Sequence, residues 1–197
     1  MHRTLRHSFV AALLTVGAAR PAHAQNLGPF RQFLAIEPYY ARTQLDVGSG
    51  VPRVSLNGYG GRLWVNLAPF AGPHRNLISH GALAFFATYS PDQANRNSTV
   101  LHYGAQHDAF FVNRPLGGFI DPFVSVGAGG FRIKTGTLAS TNFSLSPGGG
   151  IRIPIPNRLQ LRVDARDVMI FGSRTGTAGA KRTSQNLELL GALGITF

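Results

Sequence analysis

The sequence predicts an all-β chain folded as an eight-stranded antiparallel up-and-down transmembrane β-barrel, and three observations carry that prediction. The first is the closing segment, where Leu187, Leu189, Gly191, Leu193, Ile195 and Phe197 share one face and Asn186, Glu188, Ala192, Gly194 and Thr196 share the other, with Leu190 as the exception. Period-two patterning of this kind marks a strand with one apolar and one small or polar face. The second is that seven more runs of strand length precede it, each bounded by Gly, Pro, Asn or Asp. The third is that the connections alternate between Pro-rich turns and polar segments, as when turns line one rim and loops the other. An even-stranded sheet that closes on itself leaves no backbone donor bare, which is the condition for crossing lipid as a sheet.

Taken in chain order, the first element is a leader. Arg3 and Arg6 precede an apolar run, Ser8 to Ala19, and Ala22-His23-Ala24 supplies a small-x-small cleavage pattern. The apolar run is too short to span a bilayer as a helix. Residues 1–24 therefore read as a signal peptide and 25–197 as one barrel domain, exported from the cytoplasm.

The first strand runs from about Phe33 to Leu45, with Leu34, Ile36, Pro38 and Tyr40 on one face and Glu37 on the other. The second, Leu56 to Ala68, sets Tyr59, Leu63, Val65 and Leu67 against Gly60, Arg62, Trp64 and Asn66. The third (Ile78 to Tyr89) and fourth (Thr99 to Val112) are apolar or small on both parities and have no assignable face. The fifth spans Pro122 to Lys134 and the sixth Asn142 to Ile153, where Arg152 lies opposite Ile151 and Ile153. In the seventh, Leu159 to Phe171, Leu161, Val163 and Ala165 alternate with Arg162, Asp164 and Arg166. The eighth runs from Ser184 to Phe197. Compact turns are expected at Pro69–Asn76, Asn113–Asp121 and Pro154–Arg158, and longer loops after strands one, three, five and seven.

Several classes are excluded by composition. The chain has 24 glycines, 14 phenylalanines and no cysteine, so disulfide frameworks and thiolate metal sites are ruled out. Without the leader's Arg3, Arg6 and Arg20, 16 Lys and Arg stand against 8 Asp and Glu, a balance of +8 that is expected to scatter over loops and lumen and that would suit anionic envelope partners such as lipopolysaccharide. Nucleic acid is the wrong compartment, and no basic helix or aromatic RNA-binding motif supports it.

The terminal aromatic strand, the leader, the strand Pro122-Phe123-Val124-Ser125-Val126-Gly127-Ala128-Gly129-Gly130 and the strand Leu161-Arg162-Val163-Asp164-Ala165-Arg166-Asp167 together resemble the small eight-stranded bacterial outer-membrane barrels of the OmpA-, OmpX- and OmpW-like group. The resemblance covers essentially the whole of 25–197. It implies an outer-membrane location with both termini periplasmic, and contact with outer-membrane lipid and lipopolysaccharide. Periplasmic chaperones and a barrel-assembly machinery that reads Phe197, Ile195 and Leu193 are implied as partners. No peptidoglycan-binding domain is expected beyond the barrel.

Eight strands enclose a space that side chains fill, and charges in such a space are paired. Glu37, Arg62, Arg152, Arg162, Asp164 and Arg166 share the inward face and are expected to form an ion-pair network in the lumen. Asp167 has the opposite parity, at an interface or on a bulge. Tyr40, Tyr59, Trp64, Tyr89, Tyr103 and Phe197 are candidates for aromatic girdles; Trp64 shares parity with Arg62, so a girdle position for it needs a one-residue bulge in the second strand.

No catalytic residue, cofactor or metal site is assigned. Ser79, His80 and Glu188 do not match the His-x-Ser arrangement of barrel deacylases, and His102 and His107 lie on opposite faces of one strand. The leading functional expectation is a non-enzymatic barrel serving envelope integrity or adhesion through its loops. A narrow porin-like channel is the alternative, and a lipid-A-directed enzyme or a soluble ligand-binding barrel would follow only from different site geometry.

Overall fold

A computed structural model describes residues 33–46, 53–67, 81–92, 98–111, 120–156, 158–173 and 182–197. The leader assigned to 1–24 lies outside these residues. Eight strands follow one another: β1 (Leu34–Leu45), β2 (Val54–Asn66), β3 (Gly81–Pro91), β4 (Ser98–Phe110), β5 (Asp121–Thr135), β6 (Leu138–Ile155), β7 (Leu159–Ser173) and β8 (Arg182–Thr196). Each pairs antiparallel with its neighbours in sequence, and β8 returns to β1, closing the barrel. The seam is continued by backbone bonds from Phe33 N to Phe197 O at 2.9 Å and from Phe197 N to Leu34 O at 2.8 Å. Closure satisfies both edges of the sheet and removes the strand-pairing liability of an open rim.

Alternation decides which side chains enter the lumen. In β1 the odd residues Ala35, Glu37, Tyr39, Ala41 and Thr43 are buried, and Ile36, Tyr40 and Arg42 are exposed. In β8 Asn186, Glu188, Leu190 and Ala192 point inward, and Leu187, Leu189, Leu193 and Ile195 point out. From the rim carrying Phe33 and Phe197 (the terminal rim) up to the level of the tyrosines, the outward strand positions among the described residues carry no Lys, Arg, Asp or Glu. Tyr40 is the register partner of Tyr59, Tyr59 of Tyr89, and Tyr103 lies opposite Ala87. These four outward rings make a continuous aromatic arc over β1 to β4, with Tyr59 and Tyr89 at 5.6 Å, the placement expected at a membrane interface.

Three sequence expectations need correction. Trp64 is in the lumen, 1% exposed, and β2 carries no register shift toward either neighbour. The irregularity falls instead between Ile170 and Ser173 on β7, beyond Asp167, which keeps its outward parity. Next, β5 and β6 continue to a two-residue turn at Gly136 and Thr137 rather than a loop. Gly136 has φ of 61° and Thr137 does not share it, as the first position of a type II′ hairpin turn requires. Finally, connection length does not separate the rims where it is described: β5 ends at Thr135 with β6 starting at Leu138, and β6 ends at Ile155 with β7 starting at Leu159. The turn expected at Pro69–Asn76 and most of that expected at Asn113–Asp121 lie outside the described residues; Asp121 opens β5.

Inward glycines make room on the β4–β6 wall. Gly104 and Gly129 are register partners, and a side chain on Gly129 would lie 1.9 Å from the Tyr103 carbonyl oxygen. Gly148 leaves space for Arg166, whose Cβ would be met at 2.7 Å. Gly104 and Gly129 thus allow close approach of the β4 and β5 backbones, and Gly148 seats Arg166; these glycines serve packing rather than phosphate loops.

Candidate functional site: a charged lumen

The six residues that share the inward face by sequence all lie inside the barrel: Glu37, Arg62, Arg152, Arg162, Asp164 and Arg166 are each at most 3% exposed. Neighbouring strands and contacts across the lumen bring them together. Arg62 on β2 lies 3.3 Å from Glu37 on β1, its register partner, and donates to Asp164 Oδ2 on β7 at 2.9 Å. Asp164 Oδ1 in turn accepts from Arg162 Nε at 2.7 Å. One carboxylate thus serves two guanidiniums.

The remaining members were not assigned from sequence. Asp108 on β4 accepts from Arg162 Nη1 at 2.5 Å, and Gln106 donates to the same carboxylate. Gln106 also accepts from Arg166 at 3.2 Å, and Arg166 Nε donates to Glu188 Oε2. Toward the terminal rim, Arg152 donates to Asp121 at 2.6 Å and to Gln160 at 3.5 Å, and Gln160 donates to Glu37. A chain of contacts therefore runs from Asp121 through Arg152, Gln160, Glu37, Arg62, Asp164, Arg162, Asp108, Gln106 and Arg166 to Glu188. Four arginines face five carboxylates, so the column holds almost no net charge, as a low-dielectric interior demands.

An apolar cluster lies toward each rim. At the rim carrying the β5–β6 turn (the hairpin rim), Leu45, Leu56, Val100, Phe131, Val168 and Ile170 pack across the lumen. At the terminal rim Ala35, Trp64, Ala82, Ala84, Phe110 and Phe123 do the same. Guanidinium groups join the terminal-rim layer to the ion pairs: that of Arg152 lies 5.7 Å from the Trp64 ring and 5.0 Å from that of Phe110, and that of Arg162 lies 4.0 Å from the Phe123 ring. Such stacking suits a planar, weakly hydrated guanidinium.

Glu188, His102 and Ser144 stand in the order of a charge relay, with Glu188 Oε2 at 3.4 Å from His102 Nδ1 and Ser144 Oγ at 3.4 Å from His102 Nε2. Ser144 is fully buried in the lumen, and Phe86 and Phe131 flank the imidazole at 4.9 and 5.4 Å. No face of the hydroxyl is open to a substrate, so the trio works as packing glue. Glu188 also takes Thr43 and Arg166, which fixes it inside rather than on the outer wall. Ser79 and His80 lie outside the described residues. His102 points inward and His107 outward. Leu193, Ile195 and Phe197 are outward, about half exposed.

Neither a protein-family model nor a curated protein matches the chain. Solved structures do. Neisserial surface protein A superposes with a TM-score of 0.60 at 12% identity, over 83% of this chain and 97% of that one. The attachment invasion locus protein Ail of Yersinia pestis gives 0.51 at 13%, over 85% and 100%. The N-terminal β-barrel domain of Pseudomonas aeruginosa OprF gives 0.50 at 11%, over 83% and 97%. The chain has the fold of the small eight-stranded outer-membrane barrels. At such identities the likeness establishes the architecture, and function has to come from this chain's own residues.

Proposed function

We propose that the chain is a non-enzymatic integral outer-membrane barrel with a closed lumen, acting in envelope integrity or attachment through its hairpin rim, with both termini periplasmic. The observation that carries this reading is the filled interior: an ion-pair column between two apolar layers, inside a wall whose outward face is uncharged up to the tyrosines. A solute path needs a continuous wet passage, and the burial of the inward side chains argues against one. The attachment role is supported by likeness to Ail, an attachment invasion locus protein whose structure is also known with the heparin analogue sucrose octasulfate.

Planar-bilayer recordings test the closed lumen. The folded full chain is expected to give no resolved conductance steps. Arg162→Ala with Asp164→Ala should stay silent too, because the layer around Phe131 lies in series with the ion pairs. Steps in the unaltered protein would establish the channel reading instead.

Leu193, Ile195 and Phe197 remain the proposed handle for the assembly machinery. Deleting Phe197 removes one outward ring and the backbone bonds that close the seam with Phe33 and Leu34. The outer-membrane yield in cells should fall several-fold while the chain refolded in detergent still forms a barrel. Equal yield would reject the handle.

A further inference from the structure

The exterior is more basic than the total charge suggests. Among the described side chains, five of the eight Asp and Glu (Glu37, Asp108, Asp121, Asp164 and Glu188) are buried in the lumen, against four of nine Lys and Arg (Arg62, Arg152, Arg162 and Arg166). Among the described residues, the charged ones at outward strand positions are Arg42 on β1, Arg132 and Lys134 on β5, and Asp167 on β7. The three cations lie at or above the tyrosine arc, on its hairpin-rim side.

Arg132 and Lys134 stand two residues apart on one face, about 7 Å along the strand. Immediately below them is Gly130, flanked by its register partners Tyr103 on β4 and Phe143 on β6. The Tyr103 ring lies over Gly130, within 2.6 Å of where a Cβ would be. Below Gly130 the outward residues of β5 are Ala128, Val126, Val124 and Pro122. Thr141 is the register partner of Arg132, and Thr99 that of Lys134. Among the described residues neither cation has a carboxylate partner.

This vertical order is apolar wall, aromatic pair, guanidinium, ammonium and hydroxyls. It matches the order of chemistry met on leaving a bilayer: acyl chain, interface, charged headgroup. We propose that Arg132 and Lys134, with Thr99 and Thr141, hold the phosphate of an anionic lipid headgroup in the leaflet that meets the hairpin rim. Tyr103 and Phe143 then contact the start of its acyl region. The assignment rests on the membrane reading above. A guanidinium accepts phosphate oxygens through paired N–H donors, and the lysine adds a point charge. The cations project from the wall rather than from the turn, whose residues Gly136 and Thr137 are uncharged. A polyanion arriving from bulk solvent would meet that neutral tip first, which favours the lipid.

The test titrates the full chain, folded in zwitterionic detergent, with bisphosphorylated lipid A and with the same lipid stripped of its phosphates. The phosphorylated form should bind more tightly. Each cation near an anionic surface contributes about 1 kcal/mol, so Arg132→Gln with Lys134→Gln should weaken binding about thirtyfold and erase the difference between the lipids. Arg158→Gln, at the terminal rim, should change nothing. Equal binding of the two lipids, or an unaltered double variant, would overturn the site, as would a double variant that loses only a soluble sulfated sugar. Flotation with phosphatidylcholine vesicles separates the two readings. A chain that floats but ignores phosphate refutes the headgroup site alone, and one that stays in the aqueous phase refutes both.

Discussion

Asp164→Ala will destabilise the barrel by about 3–5 kcal/mol, the cost of breaking a buried ion pair from one side. The size follows from the double use of this carboxylate, which takes Arg62 at 2.9 Å and Arg162 at 2.7 Å. Removing it leaves each guanidinium with a single acid, Glu37 at 3.3 Å for Arg62 and Asp108 for Arg162. Glu37 is also engaged by Gln160, and Asp108 by Gln106, so neither can swing across to compensate. The urea midpoint and the temperature at which the folded form loses its fast gel mobility both report the loss. A single-variant cost below about 1 kcal/mol, the level of exposed ion pairs, would mean that water reaches the column and the lumen is not dry.

The half of that column on β1, β2, β6 and β7 was legible in the sequence because charged and aliphatic residues alternate there without interruption. Arg162, Val163 and Asp164 sort themselves by chemistry alone. On β3 and β4 the contrast fails, since Ala82, Ala84 and Gly104 face the lumen where small residues are needed to seat large partners. Small residues read as apolar on either parity, and Asp108 was lost with them. Asp121 was hidden for a different reason: it opens β5 but follows a Gly-rich, Pro-containing stretch that reads as turn. Charge counting would have recovered both, because four inward arginines need more acceptors than Glu37 and Asp164 supply. The β5–β6 hairpin escaped because its tip is exposed on both faces from Lys134 to Thr141. With no buried side, selection for alternation vanishes and Ser, Thr and Gly mimic a loop.

Trp64 is the position where sequence chemistry and sequence parity disagreed, and its consequences can be measured directly. An aromatic at an interface is the ordinary expectation for a membrane barrel, yet its parity with Arg62 sends it inward. There the indole packs edge-on to Phe110 at 6.2 Å and 82° and forms one wall for the Arg152 guanidinium. Trp64→Ala should cost about 3–5 kcal/mol, as for other buried tryptophans, and should also loosen Arg152 from Asp121. Trp64 is the single tryptophan of the chain, so its emission reports this site alone. In bilayers whose acyl chains carry bromine, emission from a girdle tryptophan would be strongly quenched. Emission from Trp64 should be nearly unchanged, because the sheet itself stands between ring and lipid. Strong quenching would require β2 to be displaced by one residue. Such a shift carries Arg62 to the lipid face along with Trp64, and with it goes the second partner of Asp164. The fluorescence experiment therefore decides the register of β2 and the integrity of the ion-pair column together.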